Sequence, residues 1–252
     1  MILCILYSSQ GLFAGLLFVV SALALHEFYR MALPQQRRLE GSLSVAAGVL
    51  CSVGLVYAGS APFLLLSIVL PCLSLALVYL FRFQDMQTVS RDLAVSLLGL
   101  LYIPLLLSHA ILLRALPAGR DWVFLVLFVV MASDTLAYFV GRTFGRHRLY
   151  EAVSPKKTVE GSLGGLVGGV LGALICKLWF FAELSFVDVL LVGVGVGAFS
   201  QLGDLVESLL KRSFGVKDSG ALIPGHGGLL DRLDSLLFAF PVTYYYAVWV
   251  FA

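Results

Sequence analysis

Between Ser208 and Asp234 the chain places Lys211, Arg212, Lys217, Asp218, His226, Asp231, Arg232 and Asp234 within 27 residues. Gly220, Pro224, Gly225, Gly227 and Gly228 break this stretch, and long apolar runs flank it. In a chain only 13% charged, charge of both signs beside a glycine-rich bend suits a polyanion together with a metal. Carboxylate oxygens are hard ligands that favour Mg²⁺, which keeps waters and bridges substrate phosphates. Asp231 and Asp234 are three apart and share a face if a helix starts there. The Gly225–Gly228 bend lets backbone approach a triphosphate, and His226 can donate to one of its oxygens. Asp218 serves equally as a ligand or as the partner of Lys217.

Three further groups extend the chemistry. Ser200, Asp204, Glu207, Ser208 and Lys211 fall along one helical stripe at the end of an apolar run. Charge inside a membrane is costly and marks function by default, so Asp204 is the leading metal ligand; the plain alternative is an ion pair with Lys211 or another base. Asp134 lies inside another apolar run, about two turns before Arg142, and fits metal or nucleotide binding as well as it fits a structural hydrogen bond. The segment Ser154–Gly161, SPKKTVEG, sets Lys156 and Lys157 ahead of Thr158, which can cap a following helix. A helix start with two lysines suits a phosphate. Membrane-flanking charge would explain the lysines alone, but the Ser-Pro before them and the cap after them favour an anion site.

The order Ser208, Lys211-Arg212, Lys217-Asp218, Gly220, Pro224, His226-Gly227-Gly228, Asp231-Arg232, Asp234 resembles the signature of the phosphatidate cytidylyltransferase (CDP-diacylglycerol synthase) family, with no departure across it. SPKKTVEG resembles a second segment of that family. The resemblance implies an enzyme joining CTP and phosphatidic acid into CDP-diacylglycerol and pyrophosphate with Mg²⁺, and a homodimer. It also implies a further hydrophobic segment at the start of the chain, expected here to be missing or abbreviated in residues 1–10.

These residues are set in a chain that is 60% hydrophobic, with a mean hydropathy of +0.97. Soluble domains are about 45–50% apolar and roughly 25% charged, so the expectation is an all-α integral membrane protein. Runs near 11–29, 42–59, 62–80, 93–113, 122–141, 161–182, 186–209 and 234–251 approach the ~20 residues of a span. They predict about eight transmembrane helices in a single membrane domain over residues 1–252, with the catalytic part mainly in 130–240. Loops after odd-numbered spans carry 14 of the 17 basic residues. That bias puts both termini outside and a polar intramembrane cavity facing the cytoplasm, in a bacterial inner membrane. Residues 1–10 carry no basic n-region, so no signal peptide is expected.

A net charge of +2 is too small to imply a nucleic-acid partner. Cys4, Cys51, Cys72 and Cys176 stand singly, without disulfide or zinc spacing. Span 6 has two rows of glycines, Gly161-Gly165-Gly169 and Gly164-Gly168-Gly172, the pattern for close helix packing in lipid. His26-Glu27 reads as a polar pair closing span 1, and Tyr244–Tyr246 with Trp249 as an interfacial belt.

The residues by themselves support a membrane enzyme that joins a nucleotide to a lipid phosphate. Asp204 and Asp231 are the metal ligands, with Asp134 or Asp234, and a second cation would complete a clamp on attacking and leaving oxygens. Lys156, Lys157, Lys211, Arg212, Lys217 and Arg232 neutralise phosphates, with Ser208 and His226 beside them. A CTP-dependent lipid-alcohol kinase could use similar parts. A transporter would need symmetry between the chain's halves, which the concentration of polar groups in the second half does not show.

Overall fold

The structure is a computed structural model that describes residues 9–220 and 227–251. Residues 1–8, with Cys4, and the bend residues Pro224, Gly225 and His226 lie outside the described residues. Among these, seven helical stretches are long and apolar enough to cross a membrane. They bear exposed apolar side chains such as Phe63, Leu70, Trp179 and Phe186, which only a lipid surrounding accommodates. The chain is an all-α integral membrane protein. It divides into two compact units, one built mainly on residues 7–112 with 218–231, the other on 113–217 with 232–252.

The first unit contains α1 (Gln10–Ala32), α2 (Arg38–Tyr57), α3 (Ala61–Phe81), α4 (Val89–Tyr102) and most of α5 (Pro104–Ala115). Ser9 caps α1, accepting from the Leu12 amide at 3.3 Å. The run expected over 93–113 is one spanning stretch, Val89–Ala115, with a single turn residue at Ile103 between α4 and α5. Pro104 has no amide hydrogen to add to the helical ladder, while Ile103 keeps helical angles and bonds to Gly99 and Leu107. Ala47, Cys51, Leu55, Leu75 and Leu100 form the core between α2, α3 and α4.

A buried charge cluster ties the polar connectors of this unit together. The Arg37 side chain is 2% exposed. Its Nε donates to Asp92 at 3.1 Å, and its Nη1 donates to Glu40 at 3.2 Å and to the Arg82 carbonyl at 2.9 Å. The guanidinium lies 5.2 Å from the centre of the Tyr79 ring. Such a cluster is costly to leave half-paired, so it fixes where α1 ends and α2 begins.

The second unit contains α6 (Gly119–Phe144), a hairpin of β1 (Arg148–Tyr150) and β2 (Ser154–Thr158), α7 (Val159–Trp179), α8 (Phe186–Ser213) and α9 (Asp234–Tyr246). The expected last span, 234–251, is α9 continued by a π-helical turn over Ala247–Phe251. The antiparallel hairpin pairs Arg148 with Thr158 and Tyr150 with Ser154. Glu160 holds its base, accepting from the Arg146 and His147 amides at 3.0 and 3.2 Å.

The glycine rows of α7 do pack helices closely. A Cβ at Gly164 or Gly168 would meet Val140 at 2.6 Å or the Ala132 carbonyl at 2.5 Å on α6. A Cβ at Gly169 would lie 2.4 Å from the Gly193 carbonyl oxygen on α8. Gly169→Ala must therefore push two backbones apart, and overpacking of this kind costs about 1–3 kcal/mol. Thermal unfolding in detergent should show a lower Tm for Gly169→Ala than for Gly15→Ala, whose Cβ meets nothing within 4 Å. Equal Tm values would mean that the helices part freely.

Candidate functional site

Two constellations of charged and polar side chains stand out, one in each unit. In the second unit, Asp204 sits on α8 one turn before Ser208, whose hydroxyl donates to it at 3.3 Å. Lys157, at the end of β2, reaches the other Asp204 oxygen at 2.6 Å. Both partners of this ion pair are about 30% exposed, so it remains open to exchange with a ligand. The carboxylate charges of Asp134 on α6, Asp204, and Asp234 at the start of α9 act on one another, and Lys157 acts on Asp134 as well.

The helix ends explain why these groups meet. Thr158 caps α7 as expected, accepting from the Gly161 amide at 3.1 Å, and so sets Lys157 just ahead of the helix. Gly203 permits close approach of α8 to α9, since a Cβ there would lie 2.6 Å from the Asp234 carbonyl oxygen. Gly165 leaves room for Gln201, which accepts from the Ser162 hydroxyl and donates to the Ser162 carbonyl. Gln201 lies one turn or less from Asp204, and its polarity within an apolar run was the sequence signal for it.

Within the stripe on α8, Lys211 pairs with Glu207 at 2.5 Å rather than with Asp204. Both are buried, so this pair fixes the end of α8. Arg212 is exposed and donates to the Val216 carbonyl at 3.0 Å. Lys156, Lys217 and Arg232 are exposed on the same unit.

In the first unit, residues 218–220 and 227–231 wrap around two carboxylates. Asp231 accepts from the Ser219 amide at 3.0 Å, the Ser219 hydroxyl at 3.1 Å and the Gly228 amide at 2.7 Å. Glu27, on α1, accepts from the Leu229 and Leu230 amides at 3.0 and 2.9 Å and stands 3.1 Å from the Ser219 hydroxyl. One hydroxyl proton thus faces two carboxylates. Gly227 adopts φ +81°, a left-handed conformation that suits glycine. A Cβ at Gly228 would lie 2.2 Å from the Ser219 hydroxyl and 2.4 Å from a Glu27 oxygen. These glycines clear space for Glu27 and Asp231.

Glu27 is the residue that sequence reasoning missed as part of a site. Its signal was a carboxylate near the end of an apolar run, but its partners are backbone amides some 200 positions away. Glu27→Gln would turn one acceptor oxygen into a donor facing an amide. Outer hydrogen-bond partners of a functional site are typically worth about 10–100-fold, and a loss of that order in kcat is expected. The variant should still enter membranes in normal yield; wild-type kcat would reduce the contact to packing.

Among the described residues, no three His, Cys, Asp or Glu side chains stand close enough to enclose a metal ion. The donor set nonetheless fits Mg²⁺, which is commonly held by one or two carboxylates plus substrate phosphates rather than by an all-protein cage.

Fold and clusters define a polytopic membrane protein that gathers acidic and basic groups at its helix ends. The chain belongs to the cytidylyltransferase family, whose sequence profile matches residues 1–250. It is 42% identical over 149 residues to a Bacillus subtilis protein named phosphatidate cytidylyltransferase, covering 59% of this chain and 55% of that one. It is 39% identical over 209 residues to one of the same name from Synechocystis sp., covering 71% and 70%. A relative of that name from Mycobacterium tuberculosis is 40% identical over 146 residues, covering 58% and 44%. The match spans about half the length of most of these relatives.

Proposed function

We propose that the chain is a phosphatidate cytidylyltransferase of phospholipid biosynthesis, a nucleotidyltransferase converting CTP and phosphatidic acid into CDP-diacylglycerol and pyrophosphate. The observation that carries this reading is the exchangeable Lys157–Asp204 pair beside Asp134 and Asp234. It combines a cation for phosphate with carboxylates for a metal in a protein surrounded by lipid. The relatives' shared name supports the choice of substrates.

In this proposal a phosphatidic acid phosphate oxygen attacks the α-phosphorus of CTP. The new P–O bond forms as the bond to the β-phosphate's bridging oxygen breaks, and pyrophosphate leaves with that electron pair. The lipid phosphate is already anionic, so positioning and charge neutralisation supply the rate. Lys157 leaves Asp204 for a substrate phosphate. Lys156, Arg212, Lys217 and Arg232 share the remaining phosphate charge, Ser208 orients Asp204, and Lys211 balances Glu207 at the helix end. His226 is proposed as a phosphate donor from the bend.

Asp204, Asp134 and Asp234 would hold Mg²⁺. Asp231, already oriented by three donors, is proposed as a further oxygen ligand, the place for a second cation. Bound Mg²⁺ would neutralise charge on the transferring phosphates. We further propose that the cluster of the second unit lines a polar cavity open to the cytoplasm in a bacterial inner membrane, in keeping with the bias of basic residues, and that the protein works as a homodimer.

The test uses purified protein in detergent with radiolabelled CTP, phosphatidic acid and Mg²⁺. CDP-lipid and pyrophosphate are expected, both lost with EDTA and restored by excess Mg²⁺. CDP and a phosphorylated lipid alcohol, in a parallel reaction offering that alcohol, would replace the reading with a kinase. No turnover by folded protein in either reaction would overturn both.

A further inference from the structure

The first unit holds a cavity of about 450 Å³ where α1 passes into α2. Four cationic or titratable basic residues line it, His26, Arg30, Arg37 and Arg38, and no acidic residue does. Glu27 takes the Leu229 and Leu230 amides, and Glu40 and Asp92 neutralise Arg37, which leaves the charges of Arg30 and Arg38. Arg30 and Arg38 are exposed and form no ion pair among the described residues. Arg37 is enclosed, and its Nη2 has no hydrogen-bond partner among the described residues. A cavity lined by two arginines without an ion pair, and by no acid, selects an anion.

Its depth in the membrane narrows the choice of anion. At 1.5 Å per residue, the 23 residues of α1 extend about 34 Å, slightly more than the ~30 Å hydrocarbon core. The last turns of α1, with His26 and Arg30, therefore lie at headgroup level. Around α2 from the cavity, starting at Leu43 and Ala46, an apolar groove of about 960 Å³ runs between α2 and α3. Arginine forks match phosphate oxygens better than point charges do.

We propose that this cavity binds the phosphate headgroup of an anionic phospholipid. The site uses none of the residues assigned to catalysis and stands or falls independently of the proposed reaction. Neither of its two exposed arginines makes a side-chain hydrogen bond or ion pair among the described residues, so both can be replaced with little cost to the fold.

The experiment is native mass spectrometry of the purified full chain in neutral detergent with added phosphatidylglycerol, which carries a phosphate diester and no free phosphate monoester. Wild-type protein should retain phosphatidylglycerol in preference to phosphatidylcholine. The double variant Arg30→Gln/Arg38→Gln should bind it about thirtyfold more weakly, at roughly 1 kcal/mol per basic residue near the headgroups. Arg91→Gln, which removes an exposed cation outside the cavity, should bind as wild type. Equal binding by the double variant, or an equal loss in Arg91→Gln, would overturn the site. Inorganic phosphate displacing the lipid at millimolar concentration would overturn the lipid as ligand in favour of a free anion.

Discussion

Asp204→Asn is expected to lower kcat for CDP-lipid formation by about three orders of magnitude, the scale on which loss of one preorganised electrostatic group is felt. The substitution is nearly isosteric, and Ser208 still finds an acceptor oxygen. What disappears is the charge that holds Lys157 at 2.6 Å and repels Asp134 and Asp234. A half-exposed ion pair contributes about 0–1 kcal/mol to stability, so Tm and membrane yield should scarcely change. Residual activity should require more Mg²⁺ for half-saturation. Lys157→Gln provides the contrast, raising KM for a phosphate-bearing substrate more than it lowers kcat. Activity in Asp204→Asn above a tenth of wild type would leave Asp204 as the structural partner of Lys157.

Asp231→Asn is expected to reduce turnover by about 10²–10³-fold while the protein still folds and enters the membrane. Comparison with Asp231→Ala separates two contributions. Asparagine retains an oxygen for the Gly228 and Ser219 amides, whereas alanine removes it, and each amide left unsatisfied costs about 1–3 kcal/mol. If charge matters, both variants are nearly inactive, and only alanine loses stability. An active asparagine variant beside an inactive alanine variant would take Asp231 out of the metal-binding set and leave it as the clasp of its own segment.

Much of this was legible in the sequence because hydropathy and basic-residue placement act over whole spans. The apolar runs and the packing role of the α7 glycines follow from patterns that a bilayer imposes. The turn at Ile103 was written in Pro104, which lacks an amide hydrogen, and it leaves the span Val89–Ala115 whole. The β1–β2 hairpin was not anticipated: SPKKT lacks the apolar alternation of a buried strand, and its pairing is local and exposed. Asp204 stood out through its cost in lipid, yet its partner did not, because Lys157 approaches from another element. At the signature glycines Gly227 and Gly228 an added Cβ would meet Asp231 and Glu27, contacts that the spacing along the chain does not reveal. Arg37 was counted as a loop charge, since nothing along the chain places Asp92 against it.

The Glu27 clasp also bears on how the protein is made. Its carboxylate leaves the ribosome about 200 residues ahead of the Leu229 and Leu230 amides, a delay of roughly 10–40 s at ordinary rates of synthesis. Throughout that interval the first helix carries a buried acid with its eventual donors still unmade. Closing the clasp is thus a late step of biogenesis, in which a segment made some 200 residues later seals α1, and a nascent protein stalled before it would present an unsatisfied carboxylate for quality control to detect.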